Sequence, residues 1–99
     1  MKITEKAFLI WLNSLPEKTT FDYRSNENCA NANFIRSLGA VNVNCGCSDV
    51  DFIFEKKEYK NLELPSWLVI TLSAARNTKT GYNNIVSKKD LARGYEEVS

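Results

Sequence analysis

The sequence predicts a small α+β domain with four helices and one two-stranded antiparallel β-hairpin, in the order α-α-β-β-α-α. Three patterns indicate this fold. Apolar residues recur at helical spacing in four segments, two short central segments alternate between apolar and polar residues, and turn-forming residues separate these segments. A chain of 99 residues is near the commonest domain length, so residues 1–99 are expected to form a single compact domain.

The first predicted helix spans residues 4–15. Thr4 suits the N-cap position, and Pro16 ends the helix because proline cannot continue one. Its polar face lacks the basic residues of a membrane-surface helix, so we expect it in the core. Phe21 and Tyr23 interrupt the polar connection that follows and are expected to anchor it. The apolar residues of this helix share one broad face: Ala7, Phe8, Trp11, Leu12 and Leu15.

The second predicted helix starts at residue 27 or 28 and ends at residue 38. Ser25 or Asn26 is expected to cap its start, and Gly39 lies where a left-handed residue ends many helices. Asn31 falls in the middle of the apolar face. Either this face is shallow there, or Asn31 forms hydrogen bonds in a partly buried site. The apolar residues of the face are Ala30, Phe34, Ile35 and Leu38.

The hairpin is predicted from residues 40–44 and 50–54, with turn-forming residues 45–49 between them. The charged segment 55–61 is expected to be a solvated loop. The third helix is predicted over residues 65–76 and should be the most buried of the four. Ser87 and Asp90 predict a capping box at the start of a last helix that reaches Glu97, in which Gly94 lowers helix stability by about 1 kcal/mol.

The composition argues against several classes of protein. The chain is 43% hydrophobic and 25% charged, with a net charge of +1, whereas proteins that act mainly through phosphate neutralisation carry more positive charge. No apolar run reaches the roughly 20 residues that span a bilayer, and the first residues lack a signal-peptide pattern. We therefore expect a cytoplasmic protein with no membrane contact. The odd number of cysteines predicts free thiols in a reducing compartment: Cys29, Cys45 and Cys47.

The cysteines and carboxylates give weak signals for chemistry. Cys29 lies near a helix start, as many thiol nucleophiles do, but the chain has no histidine to act as its base, so we expect no enzymatic activity. Cys45 and Cys47 with Cys29, helped by Asp49 or Asp51, resemble a zinc site only loosely, because a second closely spaced pair is missing. We expect no metal and no cofactor.

A basic cluster in the last third of the chain supports an alternative, a small nucleic-acid-binding regulator. A final helix that carries several of these residues could follow a phosphate backbone. The connection over residues 77–86 is too long for a helix-turn-helix, and the neighbouring glutamates dilute the charge. The candidate residues are Arg76, Lys79, Lys88, Lys89 and Arg93.

The segment FDYRSNENCANANFIRSL, residues 21–38, resembles a group of short phage and prophage proteins. The shared features are an Asp-Tyr loop at residues 22–23, Asn-Cys-Ala at residues 28–30, and Ala32 with Phe34-Ile35 in a helix, whereas Asn31 departs from the pattern. The resemblance implies a non-enzymatic accessory protein that binds and inhibits or redirects a host protein, such as a CRISPR effector or another defence complex. Exposed residues suited to such binding are Tyr23, Arg24, Asn26, Glu27, Asp49 and Asp51.

Overall fold

The computed structural model describes residues 2–78, 81–82 and 85–98. Within these residues the chain forms an α+β domain with four helices, as predicted, and several short strands. In chain order the elements are α1 (Glu5–Ser14), β1 (Thr20–Asp22), α2 (Ala30–Ser37), β2 (Val41–Cys45), β3 (Asp49–Phe54), β4 (Lys57–Glu63), α3 (Ser66–Arg76), β5 (Asn77–Thr78), β6 (Gly81–Tyr82), β7 (Ile85–Ser87) and α4 (Lys88–Glu96).

The predicted hairpin is part of a larger sheet. Strands β2, β3 and β4 form a three-stranded antiparallel sheet, so the segment expected to be a solvated loop is a strand for most of its length. Glu55 and Lys56 form the turn between β3 and β4, with φ angles of 50° and 66°. Such turns usually contain Asn or Gly. Because neither residue is present at these two positions, the sequence did not indicate a turn here. Tyr59 of β4 stacks on Phe52 of β3, with ring centroids 4.9 Å apart.

Two further strand pairs were not predicted. β1 pairs antiparallel with β7, and Phe21 lies opposite Val86. Both side chains are buried, so the pair fixes the connection after α1 to the segment before α4. The anchoring role expected for Phe21 is therefore confirmed, although it acts from a strand. β5 and β6 form a two-residue antiparallel pair.

An aromatic cluster joins α1, α2 and α3. Phe8 of α1 contacts Phe34 of α2 edge-on at 5.3 Å between ring centroids, and Trp67 of α3 at 5.6 Å. Trp11 lies 5.4 Å from Phe34. Tilted and edge-on aromatic pairs add about 0.5–1.5 kcal/mol each beyond the apolar area that they bury. The predicted apolar faces of the first two helices therefore meet in one core.

The helix ends agree with the sequence at three of four predicted caps. The Oγ1 of Thr4 accepts from the N–H of Ala7 at 3.1 Å, and Ser87 and Asp90 form the expected capping box. Gly39 has a φ of +104° after α2. The start of α2 differs, because Cys29 is its N-cap in place of Ser25 or Asn26.

The third helix is less buried than expected. Five of the eight residues of α2 are buried, whereas α3 has three buried residues among eleven and leaves Ile70 48% exposed. One side of α3 is covered closely by α4, where Gly94 lies against the backbone of Thr71 and Ala75. The glycine expected to weaken α4 thus permits the close approach of the two helices. No helix in the described part of the chain is long and apolar enough to span a membrane.

Candidate functional site: a cavity with a thiol pair

A cavity of about 320 Å³ lies between the loop before α2, the end of β2 and one face of α3. This volume is at the lower end of the range for ligand sites. Apolar side chains from β1, α3 and β7 form part of its wall, and polar groups and thiols form the rest. It is lined by Phe21, Tyr23, Arg24, Asn26, Cys29, Ala30, Asn31, Cys45, Gly46, Cys47, Val69, Leu72, Arg76 and Val86.

Hydrogen bonds fix the loop that forms the mouth of the cavity. The Oδ1 of Asp22 accepts from the N–H of Arg24 at 3.0 Å, and the carbonyl of Asp22 accepts from the N–H of Ser25 at 3.2 Å. The carbonyl of Asn26 accepts from the N–H of Cys45 at 2.8 Å, which joins the loop to β2. The polar residues of the loop are therefore held in place by the fold.

A cation–π contact closes one side of the cavity. The guanidinium carbon of Arg76 lies 4.5 Å from the centroid of the Tyr23 ring, and both residues are half-buried. Arg76 is the last residue of α3, where a positive charge is favoured by the helix dipole. The contact confirms that Tyr23 anchors the loop, and it places a guanidinium group at the cavity.

Two thiols meet at this cavity. The Sγ of Cys29 accepts a hydrogen bond from the N–H of Ala32 at 3.5 Å, and the thiol of Cys45 is an electrostatic neighbour of Cys29. The Cys45 hydrogen bond, followed by the N–H groups at the start of α2, lowers the pKa of Cys29 from 9.0 to about 6 against the opposing effect of burial. The hydrogen bond to Cys29, burial and the charge of the Cys29 thiolate raise the pKa of Cys45.

Asn31 is the second unusual feature of the cavity. The residue is 2% exposed, and its Oδ1 has no hydrogen-bond partner among the described residues. The expectation of a shallow face is wrong, because Asn31 is buried, and the alternative expectation of hydrogen bonds does not hold for its side-chain oxygen within the described part of the chain. Asn33 in the same helix behaves ordinarily, because its Nδ2 donates to the carbonyls of Asn28 and Cys29 at 3.1 and 3.0 Å.

The structure brings three of the six predicted partner-binding residues to the cavity, namely Tyr23, Arg24 and Asn26. Glu27 lines a separate shallow recess beside β2. Asp49 and Asp51 are half-buried on β3 and do not line the cavity. The Oδ1 of Asp51 accepts from the N–H of Asn61 at 2.6 Å, so this carboxylate stabilises the sheet where its register shifts.

Most of the basic cluster forms contacts within the fold. The Nζ of Lys88 donates to a carbonyl after α1 at 2.8 Å, and Arg93 donates to two carbonyls in the last turn of α3 at 3.2 and 3.0 Å. Arg76 stacks on a tyrosine ring, and Lys89 is exposed. Lys79 lies outside the described residues. The contacts of Lys88 and Arg93 occupy N–H groups that a phosphate backbone would otherwise use.

The three cysteines are free thiols, and they differ in exposure. Cys29 is half-buried, Cys45 is buried and Cys47 is exposed. In the part of the chain that the structure describes, no group of three or more histidine, cysteine, aspartate or glutamate side chains is arranged to hold a metal ion.

Comparison with known proteins gives no relative for this chain. No protein family, no curated protein and no solved structure matches it. The resemblance of residues 21–38 to phage proteins therefore stays a hypothesis.

Proposed function

We propose that this chain is a non-enzymatic binding protein and that its partner protein docks at the mouth of the cavity. The observation that carries the proposal is the arrangement of Tyr23, Arg24 and Asn26 on a hydrogen-bonded loop around a partly apolar cavity. The partner class comes from the phage resemblance. It is a host protein that this chain inhibits or redirects, with a defence complex such as a CRISPR effector as the first class to test.

The chemistry of this rim suits protein recognition. Tyrosine and arginine are the residue types enriched at the energetic centres of interfaces, and an apolar cavity can receive an anchor side chain from a partner. Arg24 and Asn26 are exposed, so they are available for hydrogen bonds. Because main-chain hydrogen bonds hold the loop, binding would order few additional residues, and this favours affinity.

Two observations support a non-enzymatic role. The chain has no histidine, the usual base and acid in thiol catalysis. The charge of the Cys29 thiolate is stabilised by a second thiol and by main-chain N–H groups, and these groups are poor proton donors for a departing alkoxide or amine.

The test is capture from a nuclease-treated lysate of a bacterial host with three forms of the tagged chain. Arg24→Glu reverses a charge at the rim, and Lys89→Glu makes the same change of charge at an exposed position of α4 that does not line the cavity. We expect the wild type and Lys89→Glu to capture the same host protein and Arg24→Glu to lose it. Equal capture by all three forms would contradict a docking site at the rim. Capture that only Lys89→Glu loses, and that is seen only in a lysate left untreated with nuclease, would favour the nucleic-acid regulator.

A further inference from the structure

We propose that Cys29 and Cys45 form a reactive dithiol, which undergoes thiol–disulfide exchange with a low-molecular-weight disulfide bound in the cavity, and that this ligand carries a carboxylate and an amide N–H. This inference goes beyond the proposed docking of a partner protein. It concerns the interior of the cavity, and it is testable on the purified chain alone.

The geometry of the thiols carries the first step of the argument. Cys29 and Cys45 both line the cavity, and the 2.8 Å hydrogen bond from the N–H of Cys45 to the carbonyl of Asn26 holds β2 against the loop that leads to Cys29. Cys29 is half-buried, so a small reagent can reach it, whereas Cys45 is only 2% exposed. An accessible thiol with a second thiol in contact is the arrangement that exchange requires, since the second sulfur resolves the mixed disulfide formed by the first.

The polar groups around the thiols define the class of ligand. The buried Oδ1 of Asn31 is an acceptor without a partner among the described residues, so a ligand that donates an N–H would satisfy it. Arg24, which is exposed, lines the same cavity, and its guanidinium group favours a carboxylate. A peptide-like disulfide such as glutathione disulfide carries both groups beside its sulfur atoms.

The exchange takes place in two balanced steps. In the first, the Cys29 thiolate attacks one sulfur of the ligand disulfide, a bond forms between Cys29 and that sulfur, and the ligand disulfide bond breaks. The departing thiolate takes a proton and leaves as a thiol. In the second, Cys45 loses its proton and attacks the Cys29 sulfur, and the remaining half of the ligand leaves as a thiol. The protein dithiol is oxidised by two electrons, and one ligand disulfide is reduced to two thiols.

The electrostatics of the pair favour this order of events. The Cys29 thiol has a pKa of about 6, so it is mostly thiolate at neutral pH and is the sulfur that attacks first. The pKa of Cys45 is raised by its hydrogen bond to Cys29 and by the charge of that thiolate. Formation of the mixed disulfide removes the thiolate charge, so Cys45 becomes easier to deprotonate at the point where its thiolate is needed.

The experiment uses purified chain with Cys47→Ser throughout, because this change removes the exposed third thiol. Each variant is treated with glutathione disulfide and followed by intact mass spectrometry and peptide mapping. We expect the Cys47→Ser chain to become two hydrogens lighter and to release two glutathione molecules. With Cys45→Ser added, it should stop at a mixed disulfide on Cys29. With Cys29→Ser added, it should stay reduced. Serine is a good N-cap residue, so this last variant is expected to fold.

Three results would overturn the dithiol. These are a reduced chain after treatment of the Cys45→Ser variant, a mixed disulfide found on Cys45 first, and a Cys47→Ser chain that stops at the mixed disulfide. Circular dichroism of each variant verifies its fold, so an absent reaction is assigned to the chemistry.

The ligand class is tested separately in the Cys45→Ser, Cys47→Ser chain. Arg24→Glu should lower the exchange rate with glutathione disulfide by about fivefold relative to the exchange rate with cystamine, which carries amines. A fivefold change corresponds to the upper end of the free energy of one exposed ion pair. Asn31→Ala, which removes the acceptor without filling the cavity, should slow glutathione disulfide but not dithiodipropionate, which has carboxylates and no N–H donor. An unchanged ratio of the rates with glutathione disulfide and cystamine would overturn the ligand carboxylate. Equal slowing of glutathione disulfide and dithiodipropionate would overturn the amide N–H donor.

Discussion

Replacement of Asn31 by leucine is expected to stabilise the protein, which is unusual for a change at a buried position. Asn31 is 2% exposed, and its Oδ1 has no partner among the described residues. A buried acceptor without a partner destabilises the folded state by about 1–3 kcal/mol. Leucine removes that acceptor, and the adjacent cavity of about 320 Å³ gives the larger side chain room to pack.

The magnitude follows from three contributions to the free energy of unfolding. Removal of the unpaired acceptor contributes about 1–3 kcal/mol. The higher helix propensity of leucine adds a few tenths of a kcal/mol. Imperfect packing of the new side chain subtracts about 1 kcal/mol. The net expectation for Asn31→Leu is a gain of up to about 2 kcal/mol, and each kcal/mol raises the Tm of a domain of this size by roughly 4–8 °C.

Asn33→Leu is the matched control, because it makes the same chemical change in the same helix. The amide of Asn33 donates to two main-chain carbonyls, at 3.1 and 3.0 Å, so its removal should destabilise the fold by about 1 kcal/mol. Both variants are measured by urea unfolding, with equal m-values required for the comparison. Opposite signs for the two variants are expected.

A loss of stability in Asn31→Leu, of the size seen for Asn33→Leu, would refute the reasoning. It would mean that an ordered water or a rotated amide satisfies the Oδ1 of Asn31 in solution. The acceptor assigned to the ligand in the cavity would then be occupied, and the ligand class proposed for that cavity would lose its main support.

Four further outcomes are expected. Alkylation of Cys29 by iodoacetamide should follow a pH profile with a midpoint of about 6. At pH 6.5 the folded chain should react about tenfold faster than the unfolded chain, because its larger thiolate fraction outweighs the lower nucleophilicity of a thiolate with a lowered pKa. The pKa of Cys29 is lower in the folded chain than in the unfolded chain, so the unfolded chain binds more protons between pH 6 and 9. The free energy of unfolding should therefore rise with pH in this range. Cys29→Ser should abolish that rise in urea titrations. Gly94→Ala should lower stability by about 1–2 kcal/mol in the same assay, because its Cβ would lie 2.8 Å from a backbone nitrogen of α3. This loss is expected although alanine favours helices. An increase in Tm would contradict the close helix contact. Lys88→Met should cost about 1–2 kcal/mol through loss of its 2.8 Å hydrogen bond, and Lys89→Met should change stability by less than about 0.5 kcal/mol; equal effects would show that the Lys88 contact is not formed.

Local signals in the sequence predicted the helices well. Thr4, Ser87 with Asp90, and Gly39 act through groups a few residues away, so their roles follow from short segments. Three strand pairings escaped prediction, and two of them have an identifiable physical reason. The turn at Glu55 and Lys56 has positive φ angles without glycine or asparagine, and the partner of β1 is far away in the chain.

The candidate site was predicted in part. Residue type and position selected Tyr23, Arg24 and Asn26, because an aromatic, an arginine and an amide before a helix are typical of binding surfaces. Cys45 is joined to the loop before Cys29 by a main-chain hydrogen bond to Asn26, and no local pattern in the sequence encodes that long-range contact. Asn31 was visible as a polar residue on an apolar face, but its environment required the packing of α2 against the rest of the fold.

The most direct test of the central claim, that the mouth of the cavity is the binding face, is the rate of Cys29 alkylation in the presence of the captured partner. Cys29 is half-buried at the cavity, so a partner seated on the rim would restrict access to its sulfur. We expect saturating partner to slow alkylation of Cys29 in the Cys47→Ser chain at least severalfold. An unchanged rate in a verified complex would place the partner elsewhere on the protein and would contradict the account.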